Sequence, residues 1–138
     1  MTHRRPDDVP TRTFDWGTIK WLVTPRLDAG ALLTTGEVII NPGKGHAPHR
    51  HPGEDEVIYV ISGEGNQTVG DHDPAFPIRE GDAIYIPTDT LHSTFNTTWR
   101  PLRLVVVYSP GGAETGLDLL PDARILDAGQ VPLWSQAN

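Results

Sequence analysis

The sequence predicts an all-β domain, an antiparallel sandwich or closed barrel, and three observations carry that reading. Short runs rich in β-branched and aromatic residues recur along the chain, glycine and proline separate them, and no segment before residue 110 sustains a helical period. The 14 glycines and 13 prolines among 138 residues are spread between apolar runs, as strand punctuation is; clustered, they would mark a linker.

Taken in order, the first dozen residues are polar and contain proline, and read as an extended arm over 1–13. Thr18 to Val23 reads as a strand, with a turn around Pro25 to Gly30 and a longer strand from Ala31 to Ile40. Asn41-Pro-Gly-Lys-Gly45 stops it. Glu56 to Ser62 is apolar on both faces, the pattern of a strand buried between two layers. Gly63-Glu64-Gly65 turns the chain into Asn66 to Val69, and Gly70 to Pro74 is a loop. Ala83 to Pro87, His92 to Asn96 and the two-faced Leu102 to Tyr108 complete the strands, giving a barrel core over about 18–110 of one 138-residue domain. The tail, 111–138, is irregular apart from a short helical turn near Ala113 to Leu120. Its apolar residues, Leu117, Leu119, Leu120, Ile125, Leu126, Val131, Leu133 and Trp134, are expected to cover a barrel end or pack on a second subunit.

Composition narrows the function. A hydrophobic content of 37% with 21% charged residues is that of a globular protein. The formal net charge of -7 leaves no basic face for a phosphate backbone, so nucleic acid is not an expected partner. There is no cysteine, which removes disulfides, thiolate ligands and a cysteine nucleophile, and agrees with a reducing cytosol. The start, Met1-Thr-His-Arg-Arg-Pro-Asp-Asp, lacks an apolar h-region and no apolar run approaches membrane-spanning length. The expectation is a cytoplasmic protein with no membrane partner.

Chemistry concentrates in four residues. His49 and His51 are two apart, and a strand points such side chains to one face. Glu56 follows the Pro52-Gly53 turn and opens the next strand, so a corner can return it to the histidines. His92 lies about 40 residues on, after another tight turn, with Thr94 and Asn96 on its face. Imidazole and carboxylate together suit one divalent transition metal, Fe, Mn, Ni, Zn or Cu. Four protein ligands leave two octahedral positions for water, substrate or oxygen, and open positions mark a catalytic site.

The same residues carry a resemblance. Gly43, His49-Arg50-His51, Glu56 and Gly63, separated by five, four and six residues, are similar to the first motif of the cupin superfamily. Gly81, Pro87, Asp89, His92 and Asn96 resemble its second motif, with Asp89 where the family usually has glycine. Aspartate tolerates left-handed backbone better than most residues, so the turn can survive. The resemblance implies a jelly-roll β-barrel, a metal held by His49, His51, Glu56 and His92, and a homodimer. It also implies an enzyme acting on a small oxygen-rich molecule. Dioxygenation of an enolisable substrate stands slightly ahead, because the three-histidine, one-carboxylate set commonly accompanies it in that family. Redox-neutral Lewis-acid chemistry (isomerase, lyase or polyketide cyclase) and a non-catalytic ligand-binding module are the alternatives. Glu56 is a ligand, or a ligand that also serves as catalytic general base.

Neighbouring residues have plainer readings. His46 is three residues before His49, so strand parity turns it away, although Pro48 can break that register. Gly43, Gly45, Gly63 and Gly81 read as turns needing positive φ. Asn96 is expected to pair backbone at a turn, Arg50 to face away from the metal, and Tyr59 and Phe95 to point opposite to Glu56 and His92.

Overall fold

The computed structural model describes residues 1–134. Among these residues ten strands form two antiparallel sheets, and period-2 burial along the longer strands sets which face looks inward. After a 3₁₀ turn at Pro6–Asp8 come β1 (Thr11–Phe14), β2 (Gly17–Val23), β3 (Thr34–Ile40), β4 (Asp55–Ser62), β5 (Glu64–Val69) and β6 (Phe76–Arg79). They are followed by β7 (Ala83–Ile86), β8 (His92–Phe95), β9 (Leu102–Ser109), the short helix α1 (Ala113–Leu117) and β10 (Arg124–Leu126). The large sheet runs β10-β1-β2-β3-β9-β4-β7 and the small one β6-β5-β8.

The core lies between the sheets. Ile58 and Val60 of β4 and Leu104 and Val106 of β9 are buried at its centre with Ile19, Trp21, Val38, Ile40, Ile84 and Ile86. Each such side chain contributes roughly 1.5–3 kcal/mol of burial. The inward face of β8 is polar instead: His92 and Thr94, and Asn96 just after the strand, are all buried. Polar groups are tolerated there because they have partners. Thr94 Oγ1 donates to Gln67 Oε1 (2.6 Å), and Asn96 Nδ2 donates to the carbonyls of Ile40 (3.0 Å) and Arg100 (2.6 Å).

Several expectations shift. Strand structure begins at Thr11, inside the stretch read as an arm, because Thr11-Arg-Thr-Phe14 pairs with both β2 and β10. The tail supplies that partner, β10, and a helix that stops at Leu117. The third strand starts at Thr34 rather than Ala31, and β6 arises where no strand was expected, paired with β5. β4 is not buried on both faces. Its outward Val57 and Tyr59 are 40% and 48% exposed, since the second sheet covers only the inner face. Tyr59 and Phe95 do point outward, as parity required.

The turns obey two different constraints. Gly43, Gly63 and Gly81 have positive φ, and Asp89 shares it at 56°, the one non-glycine to do so among the described residues. Gly45 needs no positive φ. A Cβ there would lie 2.2 Å from the Phe95 ring and 2.8 Å from the Thr94 carbonyl, so glycine lets this segment press against β8.

Candidate metal centre

His49 and His51 are not on a regular strand. His49 forms an isolated antiparallel bridge with His92, with reciprocal backbone hydrogen bonds of 3.0 and 2.9 Å, and His51 leads into the Pro52-Gly53 turn. Two turns are then tied together, because the Asp89 N–H donates to the His51 carbonyl (3.1 Å). Glu56 enters from β4, where it pairs in register with Tyr108 of β9 and Ile86 of β7. These unions bring residues 36 to 43 apart in sequence to one spot.

One ring nitrogen from each of His49, His51 and His92 lies within 4.8 Å of the others, a cluster that fits a metal ion. Glu56 Oε1 is 3.4 Å from His51 Nε2 and 3.5 Å from His92 Nε2. These three atoms are buried and have no hydrogen-bond partner, an expensive arrangement unless something else satisfies them. A divalent cation would do so. The tautomers agree: His92 Nδ1 pairs with the Thr90 carbonyl (2.8 Å) and His49 Nδ1 with the Ala47 carbonyl (3.3 Å). Nδ1–H donation to those carbonyls leaves each Nε2 lone pair facing inward.

Protonation also suits cation binding. Burial pushes the Glu56 carboxyl up, but His51 and His92 outweigh it and hold the group down at about 2. Burial, then the neighbouring His46, His92 and His51, hold His49 down at about 3. His92 is drawn down by burial and raised more by Glu56, with a net upward shift. At neutral pH the site therefore offers an ionised carboxylate and a neutral His49, the forms that bind metal. Burial first, and Glu56 next, push the Tyr108 phenol well above its usual range, so it stays protonated.

His46 lies beside the cluster without joining it. Its ring centroid is 4.4 Å from that of His49, but Nε2 accepts the Thr94 N–H (3.3 Å) and Nδ1 faces the Ala47 carbonyl (3.1 Å). Both nitrogens are committed, and burial lowers its pKa. Arg50 is exposed, 3.9 Å from Asp71, pointing away from the cluster.

Two spaces adjoin the histidines. A cavity of about 30 Å³ inside the barrel touches His49, Glu56, Thr94 and Tyr108. A groove of about 570 Å³ lies outside, between the 46–54 segment and α1 with the turn after it. Thr94 and Tyr108 reach the inner cavity, Gln67 is buried behind Thr94, and Ser62 lies at another pocket. Trp16 and Leu117 line both spaces; the sequence marks Leu117 only as an apolar tail residue and assigns Trp16 no place in the site. Trp16 sits in the turn between β1 and β2, where strand parity does not assign a face.

A closed pair of antiparallel sheets with inward histidines defines a class, the double-sheeted β-barrel with a metal-competent interior. The cupin domain family matches residues 36–108, and the chain belongs to that family. Protein SchB of Streptomyces halstedii is 32% identical over 75% of this chain and 74% of its own length. Polyketide synthase CurC of Streptomyces cyaneus is 31% identical over 68% of this chain and 60% of its own. In fold, the chain is similar to the oxalate decarboxylase of Lactobacillus farciminis, with a TM-score of 0.69 and 23% identity over 77% of this chain. It spans 32% of that larger chain. No helix among the described residues is long and apolar enough to cross a membrane.

Proposed function

We propose that this cupin is a metal-dependent enzyme acting on a small, enolisable, oxygen-rich molecule, with His49, His51, Glu56 and His92 as the metal ligands. The observation carrying this is the convergence of the unpartnered Nε2 atoms of His51 and His92 with Glu56 Oε1 at the edge of two cavities. A divalent ion held there would supply Lewis-acid polarisation of a substrate carbonyl or enol oxygen, and a redox-active one would also support oxygen chemistry. The chain's residues hold the geometry: carbonyls of Thr90 and Ala47 fix the His92 and His49 rings, and Tyr108 stays protonated beside Glu56. Glu56 acts as a ligand, because its Oε1 converges with the two ring nitrogens and His51 and His92 keep the carboxyl ionised.

Redox-neutral chemistry of the cyclase, isomerase or lyase type now stands ahead of dioxygenation. Its support is the relative called polyketide synthase CurC, together with a groove walled by Trp16, Pro48, Leu120 and Pro121. Turnover of an enolisable polycarbonyl by metal-loaded protein under strict anaerobiosis tests the choice. Full anaerobic turnover without oxygen uptake is expected; product formation that stops without oxygen would restore the dioxygenase reading.

The proposal extends to a homodimer that covers the outer face of the large sheet. Val57 of β4 and Tyr85 of β7 sit opposite each other in register, Tyr85 is 59% exposed, and β7 is a sheet edge. A second copy is the partner that would cover this apolar edge. Sedimentation is expected to give twice the 15.1 kDa chain mass, and Tyr85→Arg to halve it. A wild-type monomer at micromolar concentration, or a dimer untouched by Tyr85→Arg, would refute this placement.

A further inference from the structure

Four residues line both the inner cavity and the outer groove: His49, Trp16, His46 and Leu117. His49 is a proposed ligand, so the other three form the wall that separates the two spaces around the metal position. Each is held from behind. Trp16 is buried and stacks on Phe14, ring centroids 4.8 Å apart and planes 4° from parallel. His46 is pinned through both ring nitrogens and meets Trp16 edge-on at 5.9 Å. Leu117 is the last residue of α1, and that helix is moored to the barrel. Thr34 Oγ1 donates to Glu114 Oε2 (2.8 Å) and accepts the Gly112 N–H (3.1 Å), while Arg12 forks onto Asp118 (3.2 Å for both contacts).

Size and charge then restrict what can react. An inner space of about 30 Å³ holds one or two waters, whereas about 570 Å³ lies within the range of sites for drug-sized molecules. A substrate body therefore stays in the groove and only an oxygen-bearing edge reaches the ligands. Apart from histidine, the groove's one cation is Arg50, turned toward Asp71, while Glu54 and Asp122 are acidic. The inner cavity adds only the carboxylate of Glu56. A second carboxylate on a substrate would find only the exposed Arg50 guanidinium, already turned toward Asp71, and poorly paired charge is costly away from water.

We propose that Trp16, His46 and Leu117 form a selectivity wall that holds the substrate body in the outer groove. The wall makes the site select neutral, ring-bearing molecules with two oxygens on one edge over small dicarboxylates. This rests on the metal-centre reading above, and the test separates the two. Cobalt-loaded protein is titrated with 1-phenyl-1,3-butanedione, 2,4-pentanedione and oxalate, following the metal's visible absorption and the heat of binding.

The phenyl diketone is expected to bind at least tenfold more tightly than oxalate. Leu117→Ala, which opens the wall, is expected to change the ratio of phenyl to methyl diketone affinity at least fivefold. Leu120→Arg lines only the groove and places a cation there. It is expected to raise the ratio of oxalate to phenyl diketone affinity at least fivefold, so selectivity stays testable if Leu117→Ala does not fold. Oxalate binding as tightly as the phenyl diketone, or affinity ratios unmoved in folded variants, would overturn the wall while leaving the metal centre intact. Cobalt bands that respond to none of the three probes would overturn the substrate reading itself.

Discussion

Replacing His92 with alanine is expected to reduce bound divalent metal from one ion per chain to a small fraction of that. His92 is 1% exposed, its Nε2 has no hydrogen-bond partner, and the nearest groups are Glu56 and the other histidines. Removing it deletes one of three clustered nitrogens and leaves the buried Glu56 carboxylate with His51 Nε2 as its nearest ring nitrogen. Loss of a group that merely orients a ligand costs roughly 10–100-fold in affinity, and loss of a ligand itself should exceed that. His46→Ala is the matched control, because it removes an adjacent imidazole whose two nitrogens already serve backbone groups. It should retain near-stoichiometric metal. Elemental analysis after extensive dialysis, with calorimetric titration of manganese, cobalt and zinc, reads both variants. Tight stoichiometric metal in His92→Ala, or equal loss in His46→Ala, would refute the ligand assignment.

What sequence reasoning recovered depends on the range of each interaction. Strand positions were legible where β-branched runs meet glycine or proline, because those signals are local; β2, β3, β4, β5, β7, β8 and β9 overlap the expected spans. β1 and β6 are four-residue strands that exist through their partners, and no local signal marks them. His49, His51, Glu56 and His92 were legible as a spacing, yet the reason given for the first two was incomplete. A histidine bridge and two linked turns, rather than a regular strand, bring their rings inward. Asp89 was legible because its short polar side chain tolerates left-handed backbone, and its φ of 56° agrees. Gly45 looked like a turn glycine and proves to be a close-approach glycine, a distinction that depends on a ring 50 residues away. Trp16 and Leu117 reach the site only through tertiary packing of the β1–β2 turn and α1, which no periodicity announces.

Asn96→Ala is expected to cost about 2–4 kcal/mol of stability, because one fully buried side chain serves backbone groups at the end of β3 and in the loop before β9. Its amide nitrogen donates to Ile40 at the end of β3 and to Arg100 before β9, and its oxygen accepts from the Thr98 N–H (2.9 Å) and hydroxyl (2.8 Å). Its own N–H reaches the Lys44 carbonyl (2.8 Å), so the side chain fastens the end of β8 where the segment leading to His49 begins. Alanine removes the side-chain bonds and strands the Ile40 carbonyl in the core; a carbonyl there without a partner loses its hydration for nothing. The melting temperature should fall by on the order of 10 °C. Thr98→Ala should cost less, since that hydroxyl is only part-buried and can exchange its partner for water. Urea unfolding of the metal-free proteins reads the difference directly. His92 lies at the opposite end of β8, so metal affinity of the folded Asn96→Ala protein should stay within a few-fold of wild type. A change under 0.5 kcal/mol in unfolding free energy would show that water replaces the latch. Loss of metal from a folded variant would show instead that the latch and the metal centre are one unit, with β8 positioned from its far end.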